Sequence, residues 1–123
     1  MSPKLYWTVT GLLAAGLAFA GVGNVLVLPE VYATVQPLGY PAYMLHILGV
    51  GKLLAAIAIV VPGRPIVKEW AYAGVVFIMI GAIASHFFMG EPAAKSAPAT
   101  FFLVLTLVSW ASRPADRRVP AAS

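Results

Sequence analysis

The chain has 123 residues, 61% of them hydrophobic and only 10% charged, with a net charge of +4 and no cysteine. A soluble domain carries about 25% charged residues, so this chain lacks the polar cover of a water-exposed fold and reads as one integral membrane domain. The basic residues lie at segment ends and in the tail rather than on one face, which is not a nucleic-acid footprint. Without cysteine there is no disulfide, thiol relay, Cys-ligated metal or iron–sulfur cluster, so any redox role needs a bound cofactor or a partner.

A helix needs about 20 apolar residues to cross the hydrocarbon core. The first such stretch runs from Leu5 to Leu28. It opens on Tyr6 and Trp7, residues suited to the interfacial belt, and places Gly11, Ala14, Ala15, Ala18 and Gly21 where another helix can approach closely. Its Ala18-Phe19-Ala20 motif mimics a signal-peptidase site. The apolar run continues past it, which favours a retained span over cleavage. The stretch from Pro29 to Gly39 is too short and too polar to span, and predicts a loop with about one turn of interfacial helix, closed by Pro37 and Gly39. The second span is expected over Tyr40 to Val61, followed by a tight Pro62-Gly63-Arg64-Pro65 turn. The third covers Val67 to Met89 and ends at Gly90-Glu91-Pro92, and the fourth covers Pro98 to Ala111.

The expected architecture is all-α: a transmembrane four-helix bundle over residues 1–112, with a polar cytoplasmic tail at 113–123. Four spans place both termini on one side. Lys4, Arg64, Lys68, Arg113, Arg117 and Arg118 share that side, against Lys95 alone on the other. The excess of basic residues predicts N-in, C-in.

The polar residues inside the spans are the candidate site. Lys52, in the middle of the second span, must snorkel, pair or line a wet cavity. With a rise of about 1.5 Å per residue, Asn24, His46 and His86 fall very roughly 6–9 Å below the outer surface, and Lys52 about 18 Å from Tyr40. His46, Gly49 and Lys52 share one face of the second span, and Glu69, Tyr72, Val76, Met79, Ile83 and His86 form a stripe on the third. The simplest arrangement turns those faces towards each other around an outer-half polar pocket, with Asn24, His46, Lys52, Glu69, Tyr72 and His86 as ligand-binding candidates. Each has a plainer reading. Lys52 and Glu69 form a structural ion pair across the bundle. The histidines are satisfied interfacial side chains, two being too few for a catalytic zinc site, which takes three protein ligands. Asn24 is an interhelical hydrogen-bond partner.

Several of these pieces resemble the DoxX-like family of small four-helix membrane proteins. They are Leu38-Gly39-Tyr40-Pro41, Gly49-x-Gly51-Lys52-Leu53-Leu54, Pro62, Lys68-Glu69-Trp70-Ala71-Tyr72-Ala73-Gly74 and Gly81-Ala82-x-x-Ser85-His86. The resemblance covers about Leu5 to Trp110. It implies the fold, a bacterial cytoplasmic (inner) membrane and a membrane redox setting, since the wider family includes a membrane subunit associated with thiosulfate:quinone oxidoreduction and members associated with oxidative stress or assembly.

Three functions stay open, beside a transporter reading that the small size and lack of repeats weaken unless the protein oligomerises. The favoured one is binding of a small lipophilic molecule, with a quinone as the candidate cofactor: Lys52, Tyr72, His46 and His86 would donate hydrogen bonds to its carbonyl oxygens against an apolar wall of Phe77, Met79 and Phe87. The second is a small membrane enzyme acting on a lipophilic substrate, with Glu69 or a histidine as acid–base. The third is a structural partner in a larger complex, as a homo-oligomer or beside a redox enzyme, in which a Lys52–Glu69 pair fixes the bundle. Beyond the lipid bilayer, no residue names the partner.

Overall fold

The structure, a computed structural model, describes residues 3–115. Arg117, Arg118 and most of the 113–123 tail lie outside the described residues. All regular structure within them is helical: α1 (Pro3–Val25), α2 (Pro29–Val35), α3 (Ala42–Val60), α4 (Pro65–Phe88) and α5 (Ala97–Ala111), with short 3₁₀ turns at Gln36–Leu38 and Ala93–Ser96. Four helices are long and apolar enough to cross a membrane: α1, α3, α4, and α5 together with the 3₁₀ turn before it. Prolines open α2 and α4, where the missing N–H is one the first turn leaves unpaired in any case.

The helix ends follow from local chemistry. At the end of α4, Gly90 takes a left-handed φ of 70°, and the amides of Gly90 and Glu91 return to the carbonyls of Phe87 and His86, the hydrogen-bond pattern that closes a helix by a Schellman motif. The first span uses the same device without a glycine. Val27 has φ 50°, and the amides of Val27 and Leu28 return to Asn24 and Gly23. A β-branched residue in that region is a strained choice, and this left-handed turn closes the span at Val25 rather than at the expected Leu28. Between α3 and α4 the chain turns through two consecutive left-handed residues, Gly63 and Arg64, as the Pro-Gly-Arg-Pro run predicts. The stretch after α1 holds more helix than expected, with α2 and a 3₁₀ turn ending at Gly39, whose φ is 86°.

The four spanning helices run antiparallel in a ring, α1 beside α3, α3 beside α4, α4 beside α5, and α5 back beside α1. Both described chain ends and the α3–α4 turn therefore share one end of the bundle, the terminal end. α2 and the α4–α5 connection occupy the other, distal end.

The interior stripe repeats at heptad spacing: Tyr6, Thr10, Leu13, Leu17 and Asn24 on α1, Leu45, Gly49, Ala56 and Ile59 on α3, and Lys68, Tyr72, Val75, Met79 and His86 on α4 are all buried. That is the knobs-into-holes seam of near-antiparallel helices. The exterior is apolar. Phe19 is 85% exposed and Phe77 81%, which a water-facing surface does not tolerate in such numbers and a lipid-facing one requires.

The tightest contact joins α1 to α3. A Cβ placed on Gly49 would lie 2.7 Å from the Gly21 carbonyl oxygen and 2.8 Å from the Val25 amide. The two backbones thus touch directly, as small residues allow in membranes. Of the small residues expected to form a packing face on α1, Gly21 does so, whereas Gly11 looks into open space. This contact also corrects the expected pairing of faces, because it turns Gly49 and Lys52 towards α1 and not towards α4, while His46 stays exposed.

Candidate functional site

The polar candidates fall into three separate places. The first is Lys52. It continues the inward stripe Leu45–Gly49–Lys52–Ala56–Ile59, yet it is half-buried where its stripe neighbours are buried. Its Nζ donates to Asn24 Oδ1 at 2.8 Å. Among the described residues, the two ion pairs are His86–Glu91 and Arg113–Glu69, so Lys52 meets a neutral amide and no carboxylate. The expected Lys52–Glu69 pair is not formed. Antiparallel packing puts Glu69 in the second turn of α4, near the terminal end, and a nearer cation takes it.

The second place is the terminal end. Tyr72 and Ser109 share a hydrogen bond of 2.8 Å, and Ser109 shares another of 2.6 Å with Thr10, tying α4, α5 and α1 together. Tyr6, expected in the interfacial belt, is instead fully buried beside the Tyr72 hydroxyl, because its position on the heptad seam points inward. Trp7, next in the chain, is half-exposed as expected. Glu69 accepts from Arg113 Nη1 on one carboxylate oxygen and from the Trp110 indole N–H at 3.1 Å on the other. The Arg113 guanidinium is buried and stacks 4.9 Å above the Trp110 ring.

Lys68 belongs to this end too. It lies on the side shared by the other basic residues, as expected, and is fully buried. Its ammonium donates to the carbonyl oxygens of Ala58, at 2.7 Å, and Val61. These carbonyls at the end of α3 have no further amide in their own helix to accept from, and a cation at a helix C-terminus also suits the dipole.

The third place is the distal end. His86 Nδ1 lies 2.8 Å from Glu91 Oε1. The two residues occupy the positions of the Schellman turn that normally make a hydrophobic contact, so the pair closes α4. Tyr40 and Ser85 share a short hydrogen bond that pins the start of α3 to α4. His46 is exposed, and no hydrogen bond of its side chain is present among the described residues. Asn24, His46 and His86 therefore do not meet in one pocket, and no cluster of three metal-ligating His, Cys, Asp or Glu side chains exists among the described residues.

Two grooves open on the flanks of the bundle. One, of about 320 Å³ between α3 and α4, is lined wholly by apolar side chains and glycines, with Gly51 and Gly74 among them. The other, of about 360 Å³ between α4 and α5, carries Glu69, Tyr72 and Trp110 at one end and Val76, Phe77 and Ile80 along its length. Neither is lined by Lys52.

Sequence reasoning missed Arg113, Ser109, Thr10 and the inward turn of Lys68. A signal for Ser109 and Thr10 was present, as both are hydroxyls within apolar spans, where a neighbouring helix normally supplies the partner.

Apolar exterior, polar interior contacts and an antiparallel ring of four spans define a small four-helix protein that has the lipid bilayer as its solvent. The chain matches the DoxX-like family over residues 8–109 and belongs to it. Neither a curated protein nor a solved structure matches it.

Proposed function

We propose that the chain binds a small lipophilic molecule through Lys52, with a quinone as the candidate, in a membrane redox setting. One observation carries this reading. Lys52 is an ammonium about ten residues, hence ~15 Å, into α3, on its inward stripe, and its one hydrogen bond among the described residues goes to a neutral amide. An ammonium has three N–H donors, so two remain to be satisfied. A charge at the centre of a helix costs about 2.5–3.5 kcal/mol to insert, and Asn24 returns only part of that. A carbonyl or acidic oxygen on a lipid-soluble ligand would accept the remaining donors, with Asn24 holding the ammonium in place.

The assembly reading drew on glycine faces and on a Lys52–Glu69 pair, and that pair is not formed. For the enzyme reading, no acid–base side chain is hydrogen-bonded to Lys52 among the described residues. The same proposal orients the bundle N-in and C-in and places it in a bacterial cytoplasmic membrane. Lys4 and Arg64 lie at the terminal end and Lys95 at the distal one, which supports that orientation. Family membership supports the compartment.

The test is mass spectrometry of the small molecules kept through gentle extraction, comparing the native chain with Lys52→Met. A single carbonyl- or acid-bearing lipophile is expected with the native chain, and about ten-fold less or none with the variant, the scale of a lost hydrogen bond to a charged group. Because the substitution removes a poorly compensated charge, the variant should melt no lower than the native protein. Identical lipid profiles in both samples overturn the proposal.

A further inference from the structure

We infer that the α4–α5 groove is a lipid site selective for a headgroup bearing a primary ammonium, as in an ethanolamine phospholipid. This site is separate from Lys52. The groove runs along α4 from Glu69 to Ile80, eleven residues or about 16 Å of helix. That is about half of the ~30 Å hydrocarbon core, the depth of one leaflet. Its length is apolar, with Val76, Phe77 and Ile80 offering a wall to an acyl chain. Its polar end lies towards the terminal end of the bundle, where Trp110 has the placement of an interfacial aromatic.

The charge that a headgroup meets there is set by unequal burial. The Arg113 side chain is 9% exposed and its partner Glu69 34%, so the pair is neutral in sum but shows its carboxylate to the groove. Each Glu69 oxygen receives one donor, from Arg113 or from Trp110. A carboxylate has about four acceptor positions, which leaves roughly two open. A headgroup with N–H donors fills them. A quaternary ammonium has none to give, and an anionic headgroup meets a like charge.

The experiment is lipid retention by the full chain, read by native mass spectrometry from bilayers holding equal parts of ethanolamine, choline and glycerol phospholipids with the same acyl chains. The native protein is expected to retain the ethanolamine lipid about five-fold over either competitor, the scale of a partly exposed charged contact. Ala73→Phe fills the exposed lip of the groove one turn beyond Glu69 and should abolish the retained lipid while the melting temperature holds. Glu69→Gln should keep a lipid but lose the preference. A retained lipid in the bulk ratio, an anionic or choline lipid retained preferentially, or an ethanolamine preference unchanged in Ala73→Phe overturns the inference.

Discussion

Two lysines show how little residue type says about role in this chain. Lys52 lies mid-span and meets one amide oxygen. Lys68 lies in the first turn of α4, fully buried, and closes the last turn of α3 by donating to Ala58 and Val61. The first is the residue proposed to meet a ligand, and the second has the contacts of a structural cap. Their replacements should therefore diverge. Lys68→Met leaves two carbonyl oxygens without their donor, and should cost about 1–2 kcal/mol, since an unmade buried hydrogen bond costs about 1–3 kcal/mol and water at the interface recovers part of it. Reversible unfolding in mixed micelles would measure this, and a variant as stable as the native protein would refute the capping role. The structural pair His86–Glu91 teaches the same lesson: a histidine near the end of a span suggests a site, but its partner five residues on is the cap of its own helix.

At the scale of the element, the α1–α3 seam depends on Gly21 and Gly49. Their backbones meet so closely that a methyl group at Gly49 would overlap the Gly21 carbonyl and the Val25 amide. Rigid packing gives such overlap nowhere to go. Gly49→Ala should destabilise by about 1–3 kcal/mol, the range for overpacked sites. Gly51→Ala, two residues on with nothing within 4 Å of its added methyl, should be neutral or slightly stabilising, because alanine is the better helix former by about 1 kcal/mol. Unfolding of the two variants side by side checks the contrast, and equal effects would mean that the seam is looser than the structure shows. The seam also bears on the Lys52 site, because Asn24 lies one turn beyond Gly21. Separating the helices would pull the amide away from the ammonium, so Gly49→Ala should reduce ligand retention as well as stability.

At the scale of the whole molecule, the antiparallel ring puts both described chain ends at the same end as the α3–α4 turn. The absence of cysteine makes orientation directly readable. Single cysteines at Lys4 or Arg64 should be shielded from an impermeant thiol reagent in right-side-out vesicles, and one at Lys95 should react. The reverse pattern would refute the N-in proposal.

Hydropathy alone placed the four spans within a few residues, because a bilayer demands about 20 apolar residues with every backbone group paired internally, whatever the neighbours. The turn at Pro62–Pro65 and the stop at Gly90 were legible for a similar reason, since left-handed backbone at glycine and the fixed φ of proline are local chemistry. The list of unusual residues was legible too, because a polar side chain stands out against an apolar span. What the sequence could not say was which of them meet. Helix rise placed Asn24, His46 and His86 at similar depth, but depth leaves rotation and neighbour order free. Those were decided by tertiary packing: the backbone contact of Gly21 with Gly49 turns Lys52 towards Asn24, and the ring order brings Arg113 to Glu69 and Ser109 to both Thr10 and Tyr72. Membrane insertion is an additive property of single segments, so composition determines it. Partner choice is a property of pairs of helix faces, and only the assembled bundle contains it.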